Sequence, residues 1–242
     1  MLKGIIFDYG GTLDTNGIHW AEVLWEQYQA LGLPVEKSHF REAYVHGERT
    51  MARQLLVQPD DDFRQVLLVK SRLQLAWLVA EGLLDAQHYP VEKYADALAG
   101  RGYAYASRVV RNALEIVEKL KMKYNLVLVS NFYGNIHAIL KDFGLLCLFN
   151  AVIESAVVGV RKPDPAIYRL GVEAMGFRPD EIAVVGDSYS KDMIPAHAVG
   201  CRTVWLKGIG WGSENDEADI TLPDVVIGDL AELPAAIERL EI

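Results

Sequence analysis

The feature that most constrains this chain is a series of short apolar runs of strand length, the first of which ends abruptly at Asp8. Gly4-Ile5-Ile6-Phe7 is followed by Asp8-Tyr9 and then Gly10-Gly11-Thr12, so the chain must turn sharply there. Similar runs occur at Leu126–Val129, Ala151–Ile153, Ile182–Val185, Thr203–Leu206 and Val225–Ile227. They are continuous rather than alternating, which suits strands covered on both faces in a parallel sheet. Helical patterns separate them. Val109–Lys123 carries Val110, Ala113, Leu114, Val117 and Leu120 on one face, and Ala166–Met175 and Asp229–Leu240 read the same way. Strands alternating with helices predict right-handed crossovers and a doubly wound α/β layer.

The stretch from about Thr15 to Gly100 contains no strand run. It holds helical patterns at Trp20–Leu31, Phe40–Leu56 and Phe63–Glu81, punctuated by Gly32-Leu33-Pro34 and Pro59-Asp60. The expected organisation is therefore a core of residues 1–14 and 105–242 with an all-helical insertion at 15–104. There is no internal repeat, low-complexity tract or long linker.

Composition narrows the function. Hydrophobic residues make up 51% of the 242 and charged residues 24%, as in ordinary globular proteins. A formal net charge of −9 argues against nucleic acid or an anionic membrane surface as partner. An anionic substrate would need a local positive field from a metal ion, a lysine or backbone amides. The apolar start is too short for a signal-peptide core, and no stretch reaches the roughly 18 apolar residues of a membrane helix. Cys147 and Cys201 lack metal-ligand spacing and are expected to be buried, reduced thiols. A soluble cytoplasmic protein is expected; its oligomeric state is open.

In open α/β sheets ligands bind beyond the carboxyl ends of the strands. There the sequence places Asp8 and Gly10-Gly11-Thr12-Leu13-Asp14, then Ser130-Asn131, then Gly186-Asp187-Ser188 with Asp192 close behind; Arg161-Lys162-Pro163-Asp164-Pro165 precedes the last group. Each alone has an ordinary explanation. Acids after strands form turns or cap helices, and Ser130-Asn131 would suit a helix start near Ile136. Together they bring acids, a hydroxyl, an amide and a lysine to one edge.

These residues resemble the four motifs of the haloacid-dehalogenase-like hydrolases, in their order, in the branch with a helical cap inserted after the first strand. Ile5–Asp14 is similar to the first motif, Val127–Asn131 to the second, Arg161–Pro165 to the third and Val184–Ser188 through Asp192 to the fourth. The resemblance implies a Rossmann-like core with a cap, and a small phosphorylated metabolite as substrate. It implies that Asp8 is a nucleophile forming an aspartyl-phosphate, and that Mg²⁺ is held by Asp8, Asp187 and the Gly10 carbonyl. It casts Lys162 and Ser130 as catalytic, with Gly11, Thr12 and Asn131 beside them at the phosphate and Asp192 supporting the metal site or Lys162.

One position departs from the phosphatases of that family. They carry a second Asp two residues after the nucleophile, as general acid and base, and here Gly10 stands in its place. Such assistance is worth on the order of 10²–10⁴ in rate. Four readings follow. Either the substrate has a good leaving group; a cap residue such as His19 or His46 donates instead; the chemistry is dehalogenation or phosphonate cleavage; or a phosphorylated ligand binds with little turnover. Dehalogenation would want a cap arginine, for which Arg41, Arg49 and Arg53 are available, and phosphonate cleavage a cap lysine, for which only Lys37 lies early in the cap. Gly208-Ile209-Gly210-Trp211-Gly212 lacks dinucleotide-loop spacing and is expected to be a loop near the site. Asp60-Asp61-Asp62 is expected to open the helix at Phe63. Trp20, Trp25, Trp77, Tyr44, Tyr89 and Tyr94 enrich the cap in aromatics, mostly as core.

Overall fold

The computed structural model describes residues 1–210 and 221–241. Each apolar run forms a strand: β1 Gly4–Phe7, β2 Asn125–Ser130, β3 Ala151–Glu154, β4 Ile182–Gly186, β5 Arg202–Leu206 and β6 Val225–Ile227. All pair in parallel, in the order β3-β2-β1-β4-β5-β6. Successive side chains of a strand point to opposite faces. Ile5, Phe7, Leu126, Leu128 and Val185 accordingly join one apolar layer, and Ile6, Val127, Val129 and Val184 join the other. Apolar cover on both faces explains why these strands read as unbroken runs.

The helices are α1 Trp20–Ala30, α2 Lys37–Arg53, α3 Phe63–Ala80, α4 Val91–Lys121, α5 Ile136–Asp142, α6 Ser155–Val158, α7 Ala166–Met175, α8 Ile194–Val199 and α9 Leu233–Leu240. α1 to α3 and the first half of α4 form the helical insertion, and its core is continuous with that of one sheet face. α3 starts where expected. Asp62 accepts from Gln65 N, and the Gln65 side chain answers to Asp62 N, closing a capping box.

α4 is a correction. A helix beginning at Val109 was expected, but it starts 18 residues earlier, at Val91, and the expected boundary between residues 104 and 105 falls inside it. Gly100 and Gly102 disguised its first half. Gly102 faces the α3 side chain of Leu67, 3.1 Å from where a Cβ would stand, so it permits close helix approach rather than breaking the helix. Cys201 is buried as expected, whereas Cys147 is exposed. Among the described residues, no helix is long and apolar enough to cross a membrane.

From β1 the chain passes through the insertion to β2 and β3 on one side, then crosses to β4, β5 and β6 on the other. The strand order reverses beside β1, which is where an open α/β sheet forms its ligand crevice. Under the sheet, α7 packs through Gly171, whose added Cβ would stand 2.9 Å from Ile6 Cδ1 and 3.0 Å from Val129 Cγ2. Gly171→Val should therefore destabilise the protein by about 1–3 kcal/mol through overpacking. A urea midpoint that falls while the m-value holds would register it.

Candidate active site

β1 delivers Asp8 to the reversal point, and the Asp8 N–H bonds to Val185 O of β4 at 2.9 Å. The next residues fold back tightly. Thr12 N and Leu13 N donate to Tyr9 O, and Gly17 N donates to Gly11 O at 2.7 Å. Gly11 has φ +96°, and a Cβ there would lie 2.3 Å from Asp187 Oδ2, so only glycine fits. Asp14 ties the loop to α1, accepting from Gly11 N and Trp20 Nε1, each at 2.7 Å. The N–H groups of Gly11 and Thr12, expected at a phosphate, are thus turned into the loop. The Thr12 hydroxyl instead bridges Asp8 Oδ2 at 3.3 Å and Asp187 Oδ1 at 3.2 Å.

Lys162 enters from the loop between α6 and α7, its side chain only 2% exposed. Nζ lies 2.6 Å from both Asp8 Oδ1 and Asp192 Oδ1. Asn131 fixes its backbone in both directions: Asn131 Nδ2 donates to Lys162 O at 3.1 Å, and Lys162 N donates to Asn131 Oδ1 at 2.9 Å. Asn131, expected at the phosphate, thus holds the Lys162 backbone with both ends of its amide. A single π-type turn over Tyr189–Met193 swings Asp192 under the site, where Oδ2 accepts from Ser188 N at 3.0 Å. Tyr168 of α7, not foreseen in the sequence, donates to Asp192 Oδ1 at 2.7 Å. Asp187 is anchored through its carbonyl by Trp205 Nε1 at 2.9 Å. Ser130, buried at the end of β2, borders the same cleft.

Oxygens of Asp8, Asp187 and Asp192 all lie within 4.8 Å of one another. Burial pushes the Asp8 carboxyl up, with Lys162 pulling it back, and burial drives Asp187 well up, reinforced by the charges of Asp8 and Asp192. Burial opposes the Lys162 charge too, but Asp192 and Asp8 outweigh it and keep the ammonium protonated. Three carboxylates, if all were ionised against one ammonium, would leave a local negative excess, and the upward shifts of Asp8 and Asp187 reflect it together with burial. Hard oxygen donors around such an excess suit a divalent cation, with Asp8 and Asp187 as the acids nearest the Thr12 bridge.

The cleft between sheet and insertion encloses about 810 Å³. On a net-negative chain it nevertheless gathers cations: Arg49, Arg161 and Lys191 stand exposed along its lining. Gly10 borders it with nothing within 4 Å of where its Cβ would be, so the space of the usual acid is open. His19 lines the cleft, its Nδ1 accepting from Ala21 N as the cap of α1, whereas His46 stacks on Trp77. Lys37 and Arg41 pair with Glu22, and Arg53 joins the cleft lining. Gly210 also lines it and Ile209 O accepts from His19 N, while Trp211 and Gly212 lie outside the described residues. The cap lysine of note is Lys70, which the sequence reading passed over. It is buried on α3 at 2.6 Å from Glu48, and a charged residue within the spacing Phe63, Val66, Leu67, Leu75, Leu78 was its one visible signal.

The parallel sheet with its helical insertion, and the acidic, lysine-braced crevice at the strand-order reversal, define a doubly wound α/β protein with a candidate site. The chain belongs to the haloacid dehalogenase-like hydrolases, whose family model matches residues 2–200. It is 41% identical to a phosphoserine phosphatase of Thermus thermophilus over 90 residues, 37% of this chain and 34% of that protein. It is 36% identical to a glyceraldehyde 3-phosphate phosphatase of Pyrococcus furiosus over 91 residues, 38% of each. The matches thus span little more than a third of those relatives' lengths. A crystal structure of a 2-haloacid dehalogenase from Pseudomonas syringae shares the fold, with TM-score 0.54 and 24% identity over 99% of both chains.

Asp14 offers a test of the site's electrostatics. Burial pushes its pKa from 3.8 to about 7, against the hydrogen bond from Gly11. Between those values the folded form keeps a proton that the unfolded chain has lost, so stability should fall as pH rises from about 4 to 7. In urea melts of metal-free protein across that range, Asp14→Asn should flatten this slope. An unchanged slope would assign the pH dependence to other groups.

Proposed function

We propose that the protein is a Mg²⁺-dependent phosphatase of a small phosphorylated metabolite, working through an aspartyl-phosphate on Asp8. The observation that carries this reading is the bracing of Asp8: Lys162 holds Oδ1 and Thr12 holds Oδ2, beside Asp187. A carboxylate held at both oxygens is oriented for in-line attack on phosphorus. Mg²⁺ at Asp8, Asp187 and the Gly10 carbonyl would screen the repulsion between nucleophile and phosphate. Lys162 neutralises charge on a phosphoryl oxygen and on Asp8 together. Ser130 donates a hydroxyl to a second oxygen. Asn131 and Asp192 position Lys162, and Gly11 and Thr12 shape the pocket floor. Residues 15–104 act as the cap over a core of 1–14 and 105–242, excluding water when closed.

The phosphatase names of the sequence relatives support this choice. Gly10 and the likeness to a dehalogenase fold keep halide displacement as the second reading. The buried acids weigh against it, since without a cation they would repel an anionic substrate. Lys70 does not favour phosphonate cleavage. Burial opposes its charge, but Glu48 holds it well above the ordinary lysine range, and an amine nucleophile must be neutral.

Phosphate release from a panel of phosphate esters with Mg²⁺, run beside chloride release from 2-haloacids, tests the proposal. Release of phosphate should vanish with EDTA and in Asp8→Asn, which should remain folded; chloride release that survives EDTA would establish the second reading. Gly10→Asp should speed alkyl phosphates more than acyl phosphates, by up to the roughly 10²–10⁴ that general acid catalysis supplies. An equal effect on both classes would mean that another group already donates the proton.

A further inference from the structure

Glu48 and Lys70 form an ion pair that the phosphate chemistry leaves unused. Glu48 lies on α2 and Lys70 on α3, with Nζ 2.6 Å from Oε1. Nζ also stands 5.6 Å from the ring centroid of Tyr44 and 5.8 Å from that of Tyr133. Tyr133, from the loop after β2, donates its hydroxyl to Glu48 Oε2 at 2.9 Å. Glu48, Lys70 and Tyr133 all line the cleft that contains Asp8.

As a fastener this pair is a poor choice. Desolvating two ions offsets much of their attraction, and apolar residues of similar volume often hold helices as well or better. Apolar contact is already present on both helices, in Phe40, Ala43 and Met51 of α2 and Val66, Leu67 and Leu75 of α3. The pair is also asymmetric. The Lys70 side chain is 9% exposed, whereas that of Glu48 is 34% exposed and opens on the cleft.

We infer that Glu48, Lys70 and Tyr133 form a binding subsite for the organic part of the substrate, taking a short alcohol with a second hydrogen-bonding group. That group is a hydroxyl or a carboxylate rather than an alkyl or aryl surface. The inference rests on the phosphatase reading. Glu48 accepts from a hydroxyl, the Lys70 ammonium donates the N–H groups not spent on Glu48 to a hydroxyl or carboxylate oxygen, and the Tyr133 hydroxyl, its proton given to Glu48, accepts from a hydroxyl. Two members come from the insertion and one from the core loop that begins at Ser130-Asn131. The subsite is therefore complete only while the insertion lies against the core, as it does here.

A site built to hydrogen-bond a substrate group rejects analogues that lack it, because its own buried polar groups are then left unpaired. The test compares kcat/KM for phosphate release from phosphorylated hydroxy acids and phosphorylated polyols with that from propyl and phenyl phosphate. The wild-type protein should favour the polar esters by at least about tenfold. Lys70→Met should erase that preference chiefly through KM, more for the hydroxy acids if a carboxylate is the bound group; Glu48→Gln should act more on the polyols. The double change Glu48→Leu with Lys70→Met should keep Tm within a few degrees while losing the preference. Wild-type preference for propyl or phenyl phosphate, or folded variants that keep the polar preference, would overturn the inference. Folded wild-type protein that releases phosphate from none of the esters would refute the phosphatase reading beneath it, and the subsite with it.

Discussion

The structure depends on one ammonium group placed between two buried carboxylates. Lys162 reaches Asp8 at the end of the central strand and Asp192 beneath β4, and without it both acids would be buried unpaired. Removing one partner of a buried pair costs several kcal/mol, because the other charge is left uncompensated. The lysine in turn is held at its backbone by Asn131, so the ends of β1, β2 and β4 converge on one side chain. Tyr168 adds a donor to Asp192 from α7, which links the site to the packing of that helix.

The same economy of position governs the contact between insertion and core. The short stretch from the end of β2 that supplies Ser130 and Asn131 also supplies Phe132, Tyr133 and Asn135. Phe132 meets Tyr9, which meets Phe63 of α3, in two edge-to-face contacts with centroids 5.9 and 6.3 Å apart. Tyr133 bonds Glu48, and Asn135 Nδ2 donates to Asp61 O at 2.8 Å. One loop therefore touches Lys162, through Asn131, and the insertion at once. The insertion is thereby packed against the segment that holds the backbone of Lys162.

The sheet was legible from the sequence because its strands are covered on both faces, and double cover leaves no polar face to interrupt an apolar run. The acids and the hydroxyl were legible because the chain leaves each strand at the same edge, so residues that follow runs must gather there, and Lys162, which follows α6 rather than a strand, was legible through its motif. Those are local properties, written in consecutive residues. The first half of α4 was hidden because Gly102 reads as a break until Leu67 is seen filling the space beside it. Asn131, Gly11 and Thr12 lie at the crevice, but the partners that their N–H, amide and hydroxyl groups take could not be read from the sequence, since hydrogen-bond partners are chosen by the folded loop. Lys70 was passed over because its partners, Glu48 and Tyr133, lie on other segments of the chain. Sequence alone determined which elements form and which groups reach the crevice. The tertiary structure decided which of those groups spend their donors on each other and which face the cleft, because that choice is made by contacts between residues far apart in the chain.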